Sequence, residues 1–130
     1  MAHFIVEFSA NLETVLDLNG LCDCLRAAGA ATEILPTAGI RVRAIRCDYY
    51  AIADGDLPDA GFIDISIRLR GGRGLEDRKR ATQDIYAAAE AFLEPYFAQR
   101  PFALSLEMRD IDPELSPKRS SYRDFMKKDN

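Results

Sequence analysis

The order strand, helix, strand can be read twice along these residues, and this doubling constrains the fold more than any other feature. The first half opens with Ala2-His3-Phe4-Ile5-Val6-Glu7-Phe8-Ser9, in which apolar and polar side chains partly alternate. Such a run reads as a strand buried on at least one face. From Leu12 to Ala30, apolar residues at Leu12, Val15, Leu16, Leu18, Leu21, Cys22 and Leu25 have the spacing of an amphipathic helix. Asn11 is placed to cap it, Gly20 to divide it into a short first turn and a main helix, and Gly29 to stop it. After Pro36 and Gly39, the residues Ile40, Val42, Ala44 and Ile45 mark a second strand. Its pattern carries on through Cys47, Tyr49 and Ile52 to Ala53, with Arg41 and Arg43 on the face opposite Ile40 and Val42.

The second half repeats the order. Asp54-Gly55-Asp56 and Pro58-Asp59 mark a turn. Gly61 to Arg70 is the clearest strand, with Ile63, Ile65, Ile67 and Leu69 on one face and Asp64, Ser66, Arg68 and Arg70 on the other. Gly71-Gly72-Arg73-Gly74 breaks it. Leu75 to Ala98 reads as a long helix, with Glu76 and Asp77 in the first turn favouring its dipole. Pro95, late in that run, is expected to end or kink it. Phe102 to Asp110 alternates as a last strand. Two β-α-β units predict an α+β domain over residues 1–112: a four-stranded mixed sheet with two helices on one face. Residues 113–130 read as a C-terminal tail with one short helix built on Tyr122, Phe125 and Met126. The uncovered face keeps partly apolar surface, which predicts an oligomer that packs sheet against sheet.

Composition excludes several functions. No apolar run approaches the roughly 20 residues that span a bilayer, so no membrane association is expected. No basic n-region precedes the first strand and Glu7 interrupts it, so no signal peptide is read and a cytoplasmic location is expected. The net charge of −4, with no dominant basic patch, argues against a nucleic-acid partner. Cys22, Cys24 and Cys47 with the single His3 match no zinc spacing, and they read as buried, reduced thiols. No metal or cofactor is expected. Of 17 basic residues thirteen are Arg, the residue suited to gripping carboxylates with two parallel donors.

A strand that starts at residue 2 sets the chain's α-amine at the end of a sheet. That amine has a reference pKa of about 7.7–8.0. Walled off from water, it would serve as a base near neutral pH.

Several segments together resemble one family. They are His3-Phe4-Ile5-Val6-Glu7, Pro36 through Arg43 with Ala38-Gly39-Ile40-Arg41 at its centre, Ala53-Asp54-Gly55, Gly72-Arg73-Gly74-Leu75-Glu76 with Arg78, and Ala103-Leu104-Ser105-Leu106-Glu107. In this order they resemble the 5-carboxymethyl-2-hydroxymuconate isomerases, a branch of the tautomerase superfamily that also holds 4-oxalocrotonate tautomerase and macrophage migration inhibitory factor.

The resemblance implies a homotrimer of doubled β-α-β subunits. It also implies cofactor-free, metal-free isomerisation of unsaturated dicarboxylic or tricarboxylic acids from homoprotocatechuate catabolism. There an N-terminal proline moves the proton, and arginines hold the carboxylates and the developing enolate. Carried over by position, the site residues are Ala2, Arg41 and Arg73. Donors held where the enolate charge develops suit that chemistry. One position departs from the pattern: residue 2 is Ala, not Pro. Ala2 with Met1 removed would present a primary amine without a ring to fix its direction. With Met1 in place, the amine would move up to about 3.8 Å along the chain. This departure keeps two other readings open: a non-catalytic trimer that binds a small organic acid, and a structural protein that keeps only the fold.

Overall fold

The computed structural model of the chain describes residues 1–127, so residues 128–130 of the expected tail lie outside it. Its strands are β1 (Ala2–Ser9), β2 (Ile40–Cys47), β3 (Gly61–Arg70) and β4 (Phe102–Ile111). Its helices are α1 (Leu18–Ala30), α2 (Leu75–Gln99) and the single turn α3 (Tyr122–Phe125). The strands form one mixed sheet in the order β2-β1-β3-β4. The central pair β1/β3 is antiparallel, and each edge strand runs parallel to its inner neighbour. A parallel pair needs a long crossover connection. The helices α1 and α2 supply one in each half, so the doubled order becomes a doubled unit. This is the expected α+β sheet.

Register puts the apolar positions on one face. Phe4 lies between Val42 and Ile67, Val6 between Ala44 and Ile65, and Phe8 beside Ile63. Against these pack Leu21 and Leu25 of α1 and Ile85, Ala89 and Leu93 of α2, all fully buried. Each such large side chain contributes about 1.5–3 kcal/mol on burial. Both helices therefore cover the same face. The opposite face carries Ile5, Ile45, Phe62 and Ala103, set among His3, Glu7, Arg41, Arg43, Asp64, Ser66 and Arg68. It is partly apolar, as expected, but charged residues make up more of it.

Several local expectations are corrected. Helix α1 starts at Leu18, not Leu12, and its cap is Asp17, whose Oδ1 accepts from the Gly20 N–H at 2.9 Å. Residues Ala10–Leu12 form a separate 3₁₀ turn. Asn11 caps nothing: it accepts from the Ser9 hydroxyl at 2.7 Å and donates to the Ala60 carbonyl at 2.8 Å. Gly29 does not stop the helix, which runs to Ala30. A Cβ at Gly29 would stand 3.0 Å from the Phe4 ring, so this glycine serves helix-on-sheet packing. Strand β2 ends at Cys47, not Ala53, because Cys47 pairs with Ser9, the last residue of the neighbouring strand β1. Without a ladder to join, Tyr49 is almost wholly exposed. Pro95 sits inside α2, which continues to Gln99. It lies on the solvent side, where water can satisfy the carbonyl it leaves unpaired.

Candidate active site

The first residue is held in a slot at the end of the sheet. The 3₁₀ turn Thr37–Gly39 leads into β2, and Ile40 pairs with Ala2. This brings Gly39 against the chain terminus. A Cβ there would stand 3.0 Å from the Met1 nitrogen and 3.1 Å from its Cα, so only glycine admits so close an approach. On the other side, the Arg70 N–H donates to the Met1 carbonyl at 3.3 Å. Ala2 itself is fully buried within the core. Its side chain faces the helices, and the amine at the site is that of Met1.

A cleft of about 500 Å³ opens beside this amine. Met1, Pro36, Gly39 and Arg41 line one side, and Lys118, Arg119, Arg123 and Asp124 of the C-terminal segment line the other. The amine's pKa is lowered from 8.0 to about 6. Partial burial is the largest cause, followed by Lys118, through its charge and a donated hydrogen bond, and then by the charges of Arg73 and Arg41. A base in this setting is mostly neutral at pH 7.

Arg41 and Arg73 reach this point by different routes. Arg41 projects from β2 into the cleft, where its Nη1 donates to the Gly39 carbonyl at 3.4 Å. Its guanidinium lies over the Tyr122 ring at 5.0 Å. Arg73 follows Gly72, whose φ of +112° turns the chain after β3. Its Nη1 donates to the Arg70 carbonyl at 2.9 Å. Arg70 also grips Met1, so Arg73 is anchored just behind the terminus and its charge reaches the amine. The structure thus brings the amine end and Arg41 together at the cleft, while Arg73 stands outside its lining and reaches the amine through its charge. It does not bring in His3. The imidazole sits 3.2 Å from Arg43 Nη1 on the open face. Burial first, then Arg43, Arg68, Arg41 and the terminal amine, lower the His3 pKa, which keeps the ring neutral at pH 7.

Sequence reasoning missed Lys118, Tyr122 and Arg123 as groups at this cleft. Pro117-Lys118-Arg119 carries no local pattern that points across the fold to residue 1. The arrangement as a whole joins a neutral amine to several cations. It suits an acid that must be held by its carboxylates while a proton moves.

A family model described as 5-carboxymethyl-2-hydroxymuconate isomerase matches residues 2–126. The 5-carboxymethyl-2-hydroxymuconate Delta-isomerase of Escherichia coli is 33% identical over 127 residues, covering 98% of this chain and all of the relative. A crystal structure of a 5-carboxymethyl-2-hydroxymuconate delta-isomerase superposes with a TM-score of 0.89 at 29% identity, covering 100% of this chain and 96% of the other. That of a 5-carboxymethyl-2-hydroxymuconate isomerase from Deinococcus radiodurans R1 gives 0.87 at 27%, covering 97% and 95%. More distantly, a fused 4-OT symmetric trimer shares the fold at a TM-score of 0.57 and 17% identity, covering 85% of each chain. With the expected fold in place and the match running almost end to end, the chain belongs to the 5-carboxymethyl-2-hydroxymuconate isomerase family.

Proposed function

We propose that this protein is an isomerase of unsaturated 2-hydroxy and 2-oxo acids such as 5-carboxymethyl-2-hydroxymuconate, working as a homotrimer in aromatic catabolism. The observation that carries this reading is the α-amine. It is held against Gly39, its pKa is lowered to about 6, and Arg41 and Arg73 act on it. In the proposed step the neutral amine takes the proton of the 2-hydroxyl. The electron pair moves through the conjugated system, and a proton is delivered to a distal carbon. The dienolate formed on the way is stabilised by guanidinium donors placed before the reaction starts. Arg41 and Arg73 hold carboxylate and enolate oxygens, and no redox change occurs. Membership of the family supports the reaction type, and the cation-lined cleft supports an anionic substrate. The trimer rests on the family and on the likeness to the fused 4-OT protein, itself a symmetric trimer.

The test is ketonisation of a 2-hydroxymuconate-type substrate, followed by absorbance, on untagged protein of known intact mass. Turnover is expected from protein whose free amine is that of Met1, the group held against Gly39. Blocking that amine by acetylation should abolish turnover. Substrate binding without turnover would make the protein an acid-binding module instead.

A further inference from the structure

The cleft carries more positive charge than proton transfer beside Arg41 and Arg73 requires. Arg41, Lys118, Arg119 and Arg123 line it, against one carboxylate, Asp124. Among the described residues none of these four cations is paired with a carboxylate, although six other Arg and Lys side chains of the chain are. Unpaired like charges around one cavity repel each other, and an anion with more than one carboxylate relieves that repulsion. The C-terminal segment is also placed, not loose. Tyr122 lies under the Arg41 guanidinium, and Lys118 lines the cleft beside Met1. The segment and β2 therefore face each other across the cavity with cations on both sides.

We propose that Lys118 and Arg123 form a second carboxylate-binding subsite across the cleft from Arg41, so that the C-terminal segment selects acids with two or more carboxylates over monocarboxylates. Lys118 and Arg123 are binding residues in this scheme. The chain beyond β4 thereby sets substrate class, while the slot at Gly39 positions the amine. The inference deepens the isomerase reading for the choice of substrate, but its binding claim can be tested without turnover.

The experiment is calorimetric titration of the full chain with glutarate, a dicarboxylate, and with butyrate, a monocarboxylate of similar size. The proteins are the wild type, K118A/R123A and the charge-preserving K118R/R123K. Wild type is expected to bind glutarate at least about tenfold more tightly than butyrate, as a charge-assisted pair allows. K118A/R123A should lose that preference and K118R/R123K should keep most of it, with thermal midpoints unchanged because these side chains are exposed. A preference that survives in K118A/R123A, or is absent from the wild type, overturns the subsite. Turnover of the 2-hydroxymuconate-type substrate is followed in parallel at a pH above 8.0, where the amine is neutral with or without Lys118. There K118A/R123A should raise KM about tenfold. Wild-type turnover with an unmoved KM leaves the isomerase reading intact and overturns the subsite. A tail-dependent glutarate preference without turnover supports the subsite and counts against the isomerase reading.

Discussion

The Arg41 guanidinium lies over the ring of Tyr122, 5.0 Å from its centroid. This contact ties an edge strand to a one-turn helix far along the chain, and it aims the guanidinium into the cleft. A cation–π contact at an exposed site is worth about 0.5–1 kcal/mol.

Replacing Tyr122 with Ala should therefore leave the fold intact but loosen Arg41. KM for a dicarboxylate is expected to rise about two- to fivefold, with the thermal midpoint unmoved. Tyr122→Phe, which keeps the aromatic face, should behave as wild type in steady-state kinetics.

Arg73→Ala should act more strongly. This side chain holds the Arg70 carbonyl with one nitrogen and keeps its other donors for an anion. A loss of about 10²–10³ in kcat/KM is expected, the scale for removing a preorganised donor to a developing oxyanion. Arg73→Lys should restore only part of it, because an ammonium cannot present two parallel donors. Unchanged kinetics for Arg73→Ala would remove this residue from the site.

Gly39→Ala probes the slot. The added Cβ would stand 3.0 Å from the Met1 nitrogen, so the terminus has to shift by a few tenths of an ångström. Small displacements of a reacting group are costly in rate, and kcat should drop by about tenfold with KM little changed. A variant as fast as wild type would show that the amine is not the proton carrier.

The pH dependence follows from the amine. With a pKa lowered to about 6, the base form prevails above that value, and kcat/KM should rise through about pH 6 to a plateau. Removing the Lys118 charge should move that limb toward 8.0. Stability follows the same group. Between about 6 and 8.0 the unfolded amine holds a proton that the folded one has released, so stability rises with pH across this window. Below it both forms are protonated and the penalty on folding is fully present. His3, also lowered, works in the same direction below its ordinary value of 6.5. Chemical denaturation at pH 5.5 and pH 8.5 would reveal the sign, and a more stable protein at the lower pH would contradict it.

Ser9→Ala tests the far end of β1. The buried Ser9 hydroxyl donates to Asn11 at 2.7 Å and accepts from the Phe62 N–H at 3.1 Å. Its removal leaves a backbone donor without its partner, at a cost of about 1–3 kcal/mol. The thermal midpoint should fall by several degrees with kcat unchanged, since Ser9 lies at the opposite end of β1 from Met1.

The parts of the fold legible in the residues are those that depend on local period. Ile63, Ile65, Ile67 and Leu69 alternate because a strand shows successive side chains to opposite faces, and each is buried in the core. Ile85, Ala89 and Leu93 recur every four residues and line one helix face. The boundaries failed wherever a distant partner decided them. Asn11 looked like a cap, yet its side chain is taken by the carbonyl of Ala60, 49 residues away. The pattern of β2 ran on past Cys47, but a strand stops where its neighbour does. Leu75, the apolar first residue of α2, lies largely exposed.

For the site, the residues alone pointed to a terminal amine at the end of a sheet, and the family resemblance pointed to Arg41 and Arg73. Family, doubled unit and sheet face were thus determined by the sequence, because periodicity and ordered segments survive without knowledge of contacts. Tertiary structure alone decided that Gly39 presses on Met1, that Ala2 turns into the core, and that Lys118, Tyr122 and Arg123 return to the amine. Those relationships join residues far apart along the chain, and charge and burial at such a junction depend on where the backbone brings each group.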